Sequence, residues 1–151
     1  MAKSLGIAKA GFYWHFKNRD DLLRQLLDYW THELTEIVTA NPWILSLPPK
    51  ERLIRTADMV LDYELARYDI PIRQWALQDA GVAKTVKQVN RLRLDFVAEA
   101  LSELGFKGES LEMRSTVLVR YLSMETAEFR GKSTKRQRNQ IAGLVDLLTS
   151  K

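Results

Sequence analysis

Two histidines, His15 and His32, stand 17 residues apart in a chain with no cysteine, no HExxH pair, no glycine-rich phosphate loop and no GxSxG elbow. Neither a metal site nor a nucleophilic triad has its parts. The adjacent acids Asp20 and Asp21 precede a leucine run, where carboxylates relieve the dipole at a helix start and need no catalytic role. The expectation is binding rather than turnover: no enzyme, no metal and no cofactor. Donors do crowd one stretch, GIAKAGFYWHFKNRDDLL, residues 6–23, where Lys, Tyr, Trp and His follow a turn glycine. A helix laid in the major groove of DNA needs small residues for close approach, donors for base edges, and basic or hydroxyl groups for the flanking phosphates. This stretch supplies all three.

The charge supports a segmental reading. Of 151 residues, 23 are Lys or Arg and 19 are Asp or Glu, for a net +4. Lys3, Lys9, Lys17 and Arg19 fall within residues 1–19 without an acid, and Arg130, Lys132, Lys135, Arg136 and Arg138 within 130–140, again without one, so the rest of the chain stands at −5. A basic run is more often a solvated face than a binding site, and its neighbours must decide. The lack of cysteine excludes a disulfide framework and a CxxC pair and fits a reducing compartment. No uncharged apolar run approaches the roughly 20 residues of a bilayer span, and MAKSLGIAKAGFYWHF lacks the continuous apolar stretch of a secretion signal. Cytoplasm is the expected location.

The elements that must position these residues read as helices throughout, since apolar residues recur at three and four and no alternation is sustained. A helix opens at Asn18, an N-cap with Asp21 three residues on, and carries Leu22, Leu23, Leu26, Leu27, Trp30, Leu34, Ile37 and Val38 to a stop at Asn41-Pro42. A loop, WILSLPP, should lead to a helix from Pro49 to Tyr68, and Pro71 should start a short element. Gly81 and Gly105 bracket a long helix of about 34 Å, with Gly105 where a left-handed C-terminal cap belongs. The next, from Ser110 to Gly131, is apolar on two sides, with Met113, Val117, Tyr121 and Met124 on one and Leu111, Leu118, Leu122 and Phe129 on the other. The last follows Ser133 or Thr134.

The stretch around residues 6–23 resembles the recognition helix and following helix of tetracycline-repressor-type (TetR-family) transcription regulators. Gly6, Ile7, Phe12, Tyr13, Trp14, His15, Phe16, Lys17, Arg19, Leu22 and Leu23 match that family's pattern, and IRQWALQD, VNRLRLDFVAEALSELGF and the long basic-ended helix resemble, more loosely, the ligand-binding and dimerisation half of one large branch. The resemblance implies that Lys9, Ala10, Gly11, Tyr13 and Trp14 face the groove, that Tyr13, His15, Lys17 and Arg19 reach phosphates, and that Phe12 and Phe16 are core. Two departures stand out. Gly11 replaces the usual Ser or Thr, at a cost of about 1 kcal/mol of helix stability relative to Ala. MAKSLGI matches only the tail of the preceding helix, so the resemblance implies that the first helix and most of the second helix of the DNA-binding unit are absent. On that expectation the 151-residue chain would bind DNA weakly, at roughly 10⁻⁴ to 10⁻⁶ M, and specific recognition would need the upstream helices.

The expected architecture is all-α: a remnant helix-turn-helix with its linker helix over 1–39, then a TetR-type ligand-binding and dimerisation domain over 43–151. The function implied is ligand-responsive repression by a homodimer on operator DNA. A dimer that binds only a small molecule or a partner protein is the alternative left open. The expected effector pocket is walled by Met59, Tyr63, Trp75, Phe96, Tyr121 and Met124, implying an apolar or aromatic ligand. The expected dimer interface comprises Leu118, Leu122, Ile141, Leu144, Val145 and Leu148 on the last two helices, with acidic partners rather than DNA for the 130–138 run.

Overall fold

The computed structural model describes residues 16–128 and 133–151, the side chains of 125–128 excepted. Among the described residues there is no strand, and the chain is all-α as its periodicity predicts. The elements are α1, Arg19–Thr31, which runs through a π-helical turn, His32–Glu36, into Ile37–Thr39; α2, Pro42–Ser46; α3, Pro49–Asp62; α4, Asp69–Ala76; α5, Ala80–Glu103; α6, Gly108–Glu128; and α7, Lys135–Thr149.

Local signals set most of these ends. Asn18 Oδ1 accepts from the Asp21 N–H at 2.8 Å and so caps α1, while the Asp21 carboxylate reaches back to the Lys17 N–H at 3.0 Å. That backbone donor, with the Gln25 amide and Arg24, holds Asp21 below the ordinary carboxylate range. Asp79 caps α5 through the Val82 N–H, and Thr134 with Gln137 forms a capping box at α7. At the far end of α5, Gly105 takes φ 94°, its N–H bonds Ser102 O and the Phe106 N–H bonds Leu101 O, with Phe106 buried behind the turn.

Two departures from the expected boundaries stand out. Where a loop WILSLPP was expected, Pro42–Ser46 form a helix that takes in its first four residues, because Asn41 caps the Trp43 and Ile44 N–H groups and Pro42 sits at the first helical position, where its missing N–H costs nothing. Asn41-Pro42 therefore stops one helix and starts another. The helix α3 ends at Asp62, with Tyr63 as its C-cap, rather than at Tyr68. Its end is the same motif as at Gly105, with Glu64 at φ 49° in place of glycine, Glu64 N–H on Leu61 O, Leu65 N–H on Val60 O and Leu65 buried. The basic run finds its acid as expected at Arg138, which donates to Asp62 at the end of α3 together with Ser133; Lys9 and the other cations before residue 16, Arg130 and Lys132 lie outside the described residues.

The long helix α5 packs against α1, α3, α4 and α6, and α7 closes the other side against α3 and α6. Arg114 on α6 donates to Leu147 O and Leu148 O, satisfying carbonyls at the end of α7 while stacking on Phe106 at 4.2 Å. Trp30, Leu34 and Val38 of α1 belong to this same core, so the turn at 40–42 between the two expected units is not a break in packing. Their spacing of four explains the π turn. Four residues of α-helix overshoot a full turn by about 40°, and the wider closure, in which the Ile37 N–H reaches His32 O, takes up the drift and keeps all three side chains inward.

Of the expected dimer residues, Leu118, Leu122, Ile141, Val145 and Leu148 are buried in the chain's own core, and Leu144 is partly buried against it. The exposed apolar side chains of these helices are Met113, Val117 and Met124 on α6 and Leu147 on α7.

Candidate functional site

At the start of α1, Lys17 and Arg19 are exposed, on the bend and first turn held by Asn18 and Asp21. The other residues expected at DNA, Lys9, Ala10, Gly11, Tyr13, Trp14 and His15, lie outside the described residues. Later turns of the same helix wall a second site, a cavity of about 60 Å³ behind α1. Leu34, Thr35, Val38 and Thr39 of α1 form one wall, Thr56 and Val60 of α3 a second, Arg93, Phe96 and Val97 of α5 a third, and Val119, Leu122 and Ser123 of α6 the last, with Leu65 and Ala66 at one end.

One edge of the cavity is a buried polar cluster. Asp69, at 0 % exposure, accepts the Trp30 indole N–H at 2.8 Å and both terminal nitrogens of Arg93. Arg93 also donates to Thr35 Oγ1 at 3.1 Å and to Ser123 Oγ at 3.5 Å, and lies over the Trp30 ring at 5.3 Å. Thr35, inside the π turn, donates in turn to Trp30 O. A charge in a low-dielectric interior is tolerable only when paired and hydrogen-bonded, and here one carboxylate takes donors from α1 and α5 at once. The cluster ties α1 to α4, α5 and α6.

Beyond Val119 and Ser123, which it shares, a wider cleft of about 480 Å³ opens on the outer side. Its walls include Arg73, Asn90, Arg120 and Met124, with Arg73 donating to Asn90 at 2.8 Å, and no acid among the described residues lines it. Of the residues expected to wall a pocket, Phe96 lines the cavity and Met124 the outer cleft; Met59, Trp75 and Tyr121 pack against the core, and Tyr63 is 67 % exposed. The residues that sequence reading missed are Thr35, Thr56, Asp69 and Arg93. Arg93 carried a signal: it falls on the buried stripe Val82, Val86, Val89, Phe96, Ala100 at helical spacing, where a cation has no place without a partner.

The π turn also carries a titrating pair on its outer side. His32 Nδ1 lies 2.8 Å from Glu36 Oε2, and this hydrogen bond, then the Glu36 charge, with Asp28 and Glu33 adding, raise the His32 pKa above the ordinary 6.5. A raised folded pKa contributes stability that is full below about pH 6.5 and lost as pH rises through the folded value. We therefore expect the His32 ring to titrate above 6.5 by proton NMR and Glu36→Gln to move its midpoint down; a midpoint unmoved by that substitution would rule out the pair.

Residues 1–26 match the family model of bacterial regulatory proteins, tetR family. No curated protein and no solved structure matches the chain. The match covers 26 of the 151 residues and is a likeness to a family of bacterial regulatory proteins. The matched segment ends at Leu26, two turns into α1, and the cavity wall begins at Leu34 of that helix. Among the described residues, no helix is long and apolar enough to cross a membrane and no group of three or more His, Asp and Glu could hold a metal ion.

Proposed function

We propose that the protein is a ligand-responsive repressor that works as a homodimer on operator DNA, with the cavity behind α1 as its effector site. The observation that carries this is one helix with two duties: α1 begins inside the family-matched segment and then supplies four residues of the cavity wall. At about 60 Å³ the cavity is smaller than the roughly 150 Å³ that admits benzene. An effector with a ring must therefore widen it, and the wall that leads to the DNA segment is α1. The Asp69 cluster resists that movement, so the effector's binding energy is set against α1's docking. A coupling of about 1–3 kcal/mol is enough for induction, because two reading heads must match half-sites about 34 Å apart. No chemistry on the ligand is involved.

The dimer face in this reading is the outer side of α6 and α7. Met113 and Val117 are 59 % and 42 % exposed, Leu147 is 68 % exposed, and the Arg114 bond to Leu147 O brings these two helices side by side. DNA contact is tested by titrating duplex from the chain's own promoter region at two salt concentrations, with random DNA as competitor. Lys17→Ala and Arg19→Ala should each weaken binding and reduce the salt slope by about one per phosphate contact removed. Binding that ignores both substitutions, or ignores salt, would refute the assignment.

A further inference from the structure

Almost every polar group facing the cavity is already engaged. Thr35 Oγ1 donates to Trp30 O, Thr39 Oγ1 to Thr35 O, and Ser123 Oγ accepts from Arg93, whose charge Asp69 offsets. Thr56 is the exception. It is buried at 7 % exposure, it lines the cavity, and its Oγ1 has no hydrogen-bond partner among the described residues. A threonine on a helix ordinarily turns its hydroxyl to the carbonyl four residues back, and Thr56 on α3 does not. Leaving a buried hydroxyl unmade destabilises the empty fold, and valine would fill the same outline without that penalty.

Resting on the effector role proposed above, we infer that the effector is a neutral, largely apolar molecule with one hydrogen-bonding oxygen, a phenol or alcohol, and that Thr56 selects it. The single orphan hydroxyl sets the number of polar atoms. Neutrality follows from Arg93, whose guanidinium is held by Asp69 and leaves no counter-charge for a second buried carboxylate. The apolar body follows from the aliphatic and Phe96 walls.

The test is calorimetric titration of phenol, toluene and benzoate into the full chain as wild type, Thr56→Val and Thr56→Ser. Phenol should bind the wild type about tenfold tighter than toluene, lose that margin in Thr56→Val with toluene affinity unchanged, and regain it in Thr56→Ser; benzoate should be the weakest. The Tm of ligand-free Thr56→Val should rise. Equal phenol affinity in wild type and Thr56→Val, or a loss shared equally by toluene, overturns Thr56 as the selector and leaves the effector site standing. Tightest binding of benzoate overturns the neutral class and points to the outer cleft with Arg73 and Arg120. If none of the three binds the wild type, the effector role of the cavity falls as well.

Discussion

Asp69→Ala is expected to lower the free energy of unfolding by about 3–5 kcal/mol, the cost of breaking a buried ion pair from one side. The substitution leaves the Arg93 guanidinium, only 14 % exposed, without its carboxylate and the Trp30 indole N–H without its acceptor. Urea denaturation with an unchanged m value is the measurement. Replacing Arg93 by Met in the same background should recover part of the loss, because the stranded charge goes with it. A loss below about 1 kcal/mol would place the pair among surface ion pairs, whose contribution is that small. The functional consequence has the same origin: with the tie gone, α1 is held by apolar packing, that of Trp30, Leu34 and Val38 included, and effector should release DNA at lower concentration.

A pair of glutamate substitutions separates the inner and outer faces of the last two helices. Val117→Glu, on the exposed side of α6, should give monomers by sedimentation velocity with a Tm close to wild type, since the new carboxylate stays solvated in the monomer and is buried only across an interface of about 1,600 Å². Val145→Glu, at 0 % exposure in α7, should unfold the chain outright, because an unpaired charge in the core costs several kcal/mol against a total stability of about 5–15. A Val117→Glu chain that stays as dimeric as the wild type, or a wild type that sediments as a monomer, would remove the outer face of α6 as the interface.

The contrast between those two valines shows where sequence reading stops. Sequence identified α6 as apolar on two sides; Met113, Val117 and Met124 are exposed, Leu118 and Leu122 are buried, and Phe129 lies outside the described residues. Which one faces a partner depends on what the rest of the chain leaves uncovered, and α7 with α3 covers Leu118, Leu122, Ile141 and Val145. Ends fixed by adjacent residues were legible: the Asn18 cap, the Gly105 turn and the Thr134 start all act within a few positions. The end of α3 was not, because Glu64 performs a glycine's task without a glycine's sequence signature, held there by burial of Leu65. The Asp69 cluster was the least legible, since its partners come from 24 and 39 residues away and no local pattern joins them.

The cavity behind α1 has a mechanical meaning apart from what occupies it. An unfilled volume in the native state disappears when the chain unfolds, so it contributes to the volume decrease, on the order of tens of mL per mole, through which hydrostatic pressure destabilises proteins. A molecule that fills the space removes that contribution. Occupied and empty forms therefore differ in compressibility even if their helices barely shift, and pressure acts on the empty form as the occupant's opponent, favouring every state in which the walls of α1, α3, α5 and α6 have collapsed or parted.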